Sequence, residues 1–310
     1  MKAVLVDPAA PGGLKISEVE RPVLTPNQAL VKVMASTLNA GELRMAKSAP
    51  AGARIGWDVA GIVEQQAADG SGPAVGTRVA GAAGTGAWAE YVVVPTDALG
   101  ELPEGVSFTV AATLPVAAVT ALHAVEHGTS LLARRALVTG AAGGVGHFAV
   151  QIAKRYGAGV VGQVRREEQR RLVLDCGADE VVVTTDGAAL KEFAPYRLIV
   201  DGVGGAVLSS ALGLLAPGGA CAIYGAVGGA DVSFSAWSLV ASGAVVQGAG
   251  RNDPVVRESG SEGMARVLAL VADGRLKPHL AAEESWTDIG RLAKEFGTHG
   301  RAGKTVIRMG

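Results

Sequence analysis

The stretch Arg135-Ala-Leu-Val-Thr-Gly140-Ala-Ala-Gly143-Gly144-Val-Gly146-His-Phe decides the fold. An apolar run of strand length, Arg135–Gly140, passes into a glycine loop, and a helical pattern, Val145–Tyr156, starts at once. In a strand–loop–helix of this kind, Gly143 lets the backbone approach a pyrophosphate and Gly146 lets the helix pack close to the strand. The helix N-terminus would meet phosphate charge with unpaired N–H groups and the positive end of its dipole. Gly140, Ala142, Gly143, Gly144, Val145 and Gly146 are therefore the candidate cofactor-binding loop. The strict G-x-G-x-x-G pattern has Ala141 at its first position, and an ordinary glycine-rich turn is the alternative.

Working outward, strands alternate with helices. Gly159–Val164 reads as a strand and Glu167–Cys176 as a helix ended by Gly177. Strand-like runs recur at Glu180–Thr184, Arg197–Asp201, Ala220–Tyr224 and Ala244–Gln247, with a helix at Ala206–Leu215. This alternation predicts a doubly wound parallel sheet covered on both faces. Before residue 110 the texture differs. Short β-like runs at Lys2–Val6, Ala29–Met34, Asp58–Glu64, Thr77–Ala80 and Glu90–Val94 predict an antiparallel or barrel-like unit. Ser107–Glu126 is a helical pattern that Pro115 should kink. The tail, helical at 262–273 and 287–297 and strand-like at Lys304–Met309, leaves the alternation and is expected to return to the first unit.

The end of the second strand of the alternating unit selects the cofactor. An NAD enzyme usually places Asp or Glu there, about 20 residues on, for the ribose hydroxyls. Here the strand ends Gln163-Val164-Arg165-Arg166, with no acid before Glu167. Arginine at this place pairs with a 2′-phosphate, so Arg165 and Arg166 point to NADP(H). The other reading is a solvated helix face in which Arg165, Arg166, Arg170 and Arg171 have Glu167 and Glu168 as partners.

Composition narrows the class. The 310 residues are 49% hydrophobic and 18% charged, enough to bury a large core. Lys and Arg number 28 against 29 Asp and Glu, so no charge excess points to nucleic acid or an anionic membrane. Cys176 and Cys221 are too few for a disulfide framework or a four-cysteine zinc site. Val110–Leu122, the longest apolar stretch, contains Pro115 and falls short of the ~20 residues of a membrane helix. A soluble, cytoplasmic protein is expected. There is no G-x-S-x-G elbow, no triphosphate loop, no H-E-x-x-H, and no tyrosine followed four residues on by lysine. His123 and His127 share a helix face but have no third ligand at a suitable spacing, so no metal site is expected.

Several motifs in order resemble the medium-chain dehydrogenase/reductases. They are Asn39-Ala-Gly-Glu42, Gly56-Trp57-Asp58-Val-Ala-Gly61, Gly76-Thr-Arg78-Val and Gly86-Ala-Trp-Ala-Glu90-Tyr91. Leu114-Pro115 through Thr120-Ala121, the glycine loop and Asp201-Gly-Val-Gly204 follow. Pro217-Gly218-Gly219, Tyr224-Gly225 and Gly303-Lys304-Thr-Val complete the series. The chain is most similar to the zinc-independent quinone oxidoreductase and enoyl reductase branch. That resemblance implies an α/β fold: a GroES-like β-rich catalytic domain, 1–113 with 254–310, and a Rossmann NADP-binding domain, 114–253. It also implies an active site in the cleft and a homodimer joined at the sheet edge, near Val232–Gly250. The zinc-dependent branch has a cysteine near Asn39 and a histidine at Trp57, both absent here.

By resemblance, Asn39 lines the nicotinamide and substrate, where its amide either holds a carbonyl oxygen or caps the following turn. Trp57 walls the substrate or packs in the core. Thr120 meets the nicotinamide or bonds within its helix. Tyr224 and Gly225 follow a strand end where ligands collect. Glu42 and Arg44 are expected to form a local ion pair. Together these imply an NADPH-dependent reductase of a quinone or an α,β-unsaturated carbonyl. A pathway-specific enoyl reductase and a nucleotide-binding protein without turnover are the alternatives.

Overall fold

Strand β1 (Lys2–Val6) pairs antiparallel with β2 (Leu14–Glu18). The long β3 (Gln28–Leu38) organises the first unit, because Ala29, Val31, Val33 and Ala35 face the core while Lys32 is exposed. It ends at Asn39, where helix α1 (Ala40–Ser48) begins. Strand β4 (Asp58–Gln65) pairs with β3, and β5 (Arg78–Ala82) with β4. Strand β6 (Tyr91–Pro95) pairs with β3 at Gln28–Lys32, and β7 (Leu99–Glu101) with β5. Val31, Val59, Val79, Trp88 and Val94 fill the core. Helix α2 (Phe108–Ala111) is capped by Ser107, and Pro115 separates it from α3 (Ala117–Glu126), as its missing N–H requires.

The second unit is a parallel sheet. In chain order its elements are β8 (Arg135–Val138), α4 (Gly146–Arg155), β9 (Gly159–Val164), α5 (Arg170–Asp175) and β10 (Glu180–Val183). Then come β11 (Tyr196–Asp201), α6 (Gly205–Leu212), β12 (Leu215–Ile223), α7 (Ala236–Ser242) and β13 (Val245–Gly248). The order across the sheet, β10-β9-β8-β11-β12-β13, is the doubly wound order, with its reversal between β8 and β11. Both central strands are buried throughout Ala136–Val138 and Leu198–Val200, as strands covered on both faces must be.

The tail consists of α8 (Gly260–Ala272), β14 (Leu280–Ser285), α9 (Ile289–His299) and β15 (Lys304–Arg308). Strand β15 pairs antiparallel with β3 and parallel with β14, so the tail returns to the first unit. The computed structural model describes residues 1–250, 258–299 and 301–309. Its two units are Met1–Val119 with Glu258–Gly310, and Thr120–Arg257. The expected crossing at 253/254 lies outside the described residues. Three expectations change. The helix expected at Ala206–Leu215 is α6, Gly205–Leu212, and Leu215 opens β12. The helix expected from Glu167 starts as a 3-10 turn, Glu167–Gln169, and becomes α-helical only at Arg170. The strand expected at Ala220–Tyr224 begins at Leu215 and takes in Pro217-Gly218-Gly219.

Candidate functional site

In the first unit the junctions of β3 with α1 and of β4 with the chain before it meet in a buried polar cluster. Asp58 is its hub and has no exposure. Its Oδ1 accepts from the Val116 N–H at 2.8 Å, just before α3. Its Oδ2 accepts from Thr37 Oγ1, from Asn39 Nδ2 at 2.8 Å and from Lys304 Nζ at 3.2 Å. Lys304, 1% exposed, also donates to Asn39 Oδ1 at 2.6 Å. A lysine is almost never buried this far unless paired. Lysine only donates and carboxylate only accepts, so the two partners define which end of the Asn39 amide is oxygen and which is nitrogen. One Nδ2–H goes to Asp58, and the other is left for a ligand at this half-buried residue.

Glu42 corrects an expectation. It forms no ion pair with Arg44, which is exposed. Its carboxyl is fully buried: Oε2 accepts from the Asn39 N–H and Oε1 from the Trp57 N–H, both at 2.6 Å. The first bond is the backward half of a capping box; the second ties α1 to the start of β4. Burial, and after it the Asp58 charge, raises its pKa from 4.5 to about 8. Trp57 is half-buried and stands outside the core cluster. The outer edge of its indole reaches Gly41, where a β-carbon would come within 2.5 Å of Cη2 and push the ring aside.

In the second unit the glycine loop follows β8 at the reversal of strand order. A β-carbon on Gly146 would stand 2.3 Å from the Gly140 carbonyl oxygen, so only glycine lets α4 start this close to the strand. Gln163, nearly fully buried, clamps the loop. Its Oε1 accepts from the Gly140 N–H at 2.9 Å, and its Nε2 donates to the Thr184 carbonyl at 2.7 Å. His147 Nδ1 is 2.9 Å from the Gly143 carbonyl. Beside the loop, Thr139 Oγ1 donates to Asp201 Oδ1 at 2.5 Å, and Asp201 Oδ2 accepts from the Gly204 N–H at 2.9 Å. Burial raises the pKa of Asp201. Tyr224 packs over Gly202, and its hydroxyl pKa is raised by burial and then by Asp201.

Thus Asn39 and Trp57 come together in the first unit. Gly140, Ala142, Gly143, Gly144, Val145 and Gly146 form one loop in the second, and Tyr224 and Gly225 follow β12. Thr120 is half-buried on α3. Arg165, exposed, and Arg166, half-buried, directly follow β9. Arg166 Nε pairs with Glu168 at 3.0 Å, while Arg170 pairs with Glu167 and Arg171 with Asp175. The arginine–glutamate pairs of the solvated-face reading are thus present for Arg166 and Arg170, while Arg171 bonds Asp175 instead. Sequence reading did not single out Asp58, Lys304, Gln163, Thr139 or Asp201 as site residues. The available signal was a charged residue of each sign inside apolar strand runs, Asp58 and Lys304.

Residues 25–104 match the model for the alcohol dehydrogenase GroES-like domain, and residues 144–271 that for zinc-binding dehydrogenase. Among the described residues no group of three His, Cys, Asp or Glu could hold a metal ion, so these residues do not fit a zinc site. The quinone oxidoreductase of Pongo abelii is 30% identical over 248 residues, 75% of each chain. The mitochondrial NAD(P)H oxidoreductase RTN4IP1 of Mus musculus is 32% identical over 220 residues, 61% of this chain and 55% of that one. The solved thermostable alcohol dehydrogenase of Pyrobaculum aerophilum superposes with a TM-score of 0.87 at 26% identity, covering 100% of this chain and 99% of that one. The two units accordingly have the GroES-like and Rossmann-like folds.

Proposed function

The chain belongs to the medium-chain dehydrogenase/reductase family, in its quinone oxidoreductase branch, and we propose that it is an NADPH-dependent reductase of quinones or α,β-unsaturated carbonyls that works without a metal. The coarser part stands on the family: an oxidoreductase with a nicotinamide cofactor. In this reading the first unit handles the substrate and the second binds NADPH. The residues to hold it are the loop Gly140–Gly146 at the N-terminus of α4, with Arg165 and Arg166 for the 2′-phosphate, and Thr120, Tyr224 and Gly225 beside the nicotinamide. In this reading the 2′-phosphate takes the place of Glu168 beside Arg166.

The observation that carries the reading is the Asn39 amide, held at both ends with one N–H unspent. NADPH, when bound by these residues, would supply the hydride. As hydride reaches the electrophilic carbon, the C=C electron pair shifts toward the carbonyl and its oxygen becomes negative. The Asn39 Nδ2–H donates to that oxygen, a preorganised donor aimed where charge develops. Trp57 walls the substrate. One proton from water completes the balance: substrate, NADPH and H⁺ give the saturated carbonyl, or the hydroquinone, and NADP⁺. We further propose a cytoplasmic homodimer joined at the β13 edge. Free Cys176 and Cys221 suit a reducing compartment. Among the described residues no helix is long and apolar enough to cross a membrane.

The test is loss of reduced-nicotinamide absorbance against small quinones, linear and cyclic enones and simple aldehydes, with NADPH and NADH in parallel. Turnover of quinones or enones with NADPH preferred is expected. Binding of NADPH with no turnover of any of them would reject the reductase.

A further inference from the structure

We propose that Lys304 is a positioning residue for the reduction: its ammonium pins the Asn39 amide oxygen, so that the second Nδ2–H is presented to the substrate oxygen and donates more strongly. The inference rests on the reading above, in which Asn39 meets that oxygen. It starts from the strand register. Thr305 on β15 pairs with Leu38 on β3, so antiparallel pairing sets Lys304 opposite Asn39, 265 residues earlier. The returning tail thus supplies a charge to the point where β3 ends and α1 begins.

Stability alone does not account for a lysine there. Apolar residues of the same volume often match or surpass a buried ion pair in stability, because both charges lose their hydration, so the Lys304–Asp58 pair is weak evidence for a purely structural role. What an apolar residue cannot do is hold an amide. With Lys304 present, flipping the Asn39 amide sets N–H against ammonium and C=O against the Asp58 carboxylate, so one orientation survives. Without Lys304 the Asn39 side chain keeps its Asp58 bond and the capping contact from the Glu42 N–H, but the charged donor at Oδ1 is gone and the amide is held less firmly against turning its oxygen toward the substrate oxygen. Charge-assisted bonding at Oδ1 also draws electron density from nitrogen, which makes the remaining N–H a better donor. Lys304 cannot serve the substrate directly, since it is only 1% exposed.

The test is a double-mutant cycle in kcat with Asn39→Ala and Lys304→Met, on the quinone or enone turned over fastest. Asn39→Ala is expected to lower kcat about a hundredfold, the loss typical of one oxyanion donor. Lys304→Met is expected to lower kcat about tenfold with KM for NADPH unchanged, and to add nothing in the Asn39→Ala background. If Lys304→Met instead costs its full factor in both backgrounds, it acts without Asn39 and the proposal falls while the reductase reading stands. If Asn39→Ala leaves kcat unchanged, the role of Asn39 falls, and this proposal with it. Removing Lys304 strands the Asp58 charge and endangers folding. The second comparison therefore makes Asp58→Asn with Lys304→Met together, which leaves no unpaired charge, in the parent and in the Asn39→Ala background: the pair must lower kcat in the first and add nothing in the second, and an equal factor in both overturns the proposal.

Discussion

Glu42 carries a cost that depends on pH. Its folded pKa, about 8, lies above the 4.5 of an exposed glutamate. Between these values the folded chain keeps a proton that the unfolded chain releases. Stability contributed at this site is therefore complete below pH 4.5, declines as pH rises toward 8, and levels off above it. Thermal melts from pH 5 to 8 should show that decline in the parent chain. Glu42→Gln should be less stable throughout, because an amide NH₂ replaces one of the two oxygens that accept backbone N–H groups. Its profile over the same range should be flatter. Equal slopes in both chains would mean that Glu42 stays ionised when folded. Glu42 also marks where residue-level reading stopped. The spacing Glu42–Arg44 suggests a surface pair, but whether a carboxylate faces solvent or the interior depends on what strand lies above it, and Trp57 is fifteen residues away.

Two neighbouring elements make separable claims on the cofactor. The loop after β8 is clamped by Gln163, which bonds the Gly140 N–H and the Thr184 carbonyl. That clamp acts on the pyrophosphate side, which NADPH and NADH share. Gln163→Ala should weaken both by a similar factor, about tenfold for a lost buried bond of roughly 1–2 kcal/mol. Arg165→Ala with Arg166→Ala should weaken NADPH at least tenfold and NADH little, since only NADPH has the 2′-phosphate. Titrating cofactor fluorescence for both would decide; equal losses from the arginine changes would end the phosphate assignment. At this scale the sheet strands were legible, because doubly covered strands write continuous apolar runs such as Leu198–Val200. Strand β14, Leu-Ala-Ala-Glu-Glu-Ser, was not, having one large apolar residue in six. Helix α7 was hidden for the opposite reason: Trp237, Leu239 and Val240 stand close together beside Ala244–Gln247, and their spacing alone does not separate helix from strand. Gln163 was not legible as a clamp, because one partner lies on the glycine loop and the other just past β10.

Over the whole molecule, long-range pairing is what the sequence conceals and the fold supplies. Asp58 and Lys304 are 246 residues apart, and each alone reads as a charge misplaced in a strand; they explain each other only once β15 lies on β3. The same reasoning, applied to apolar side chains left in solvent, leads to assembly. Strand β13 ends the second sheet, so one of its edges is unpaired among the described residues. Around it Val245 is 52% exposed, and on α7 Trp237 and Val240, three residues apart on one helix face, are 78% and 69% exposed. Apolar groups gathered at an open sheet edge invite a second copy, which would extend the sheet and cover them. Sedimentation equilibrium should return twice the 31.2 kDa of one chain. Trp237→Glu together with Val240→Lys should bring that mass to one chain at micromolar concentration. NADPH affinity should change less than twofold, since neither side chain belongs to the glycine loop or to the arginine pair. A parent chain that sediments as a monomer would remove the dimer, and these two residues would then have to be explained as a surface for a different partner.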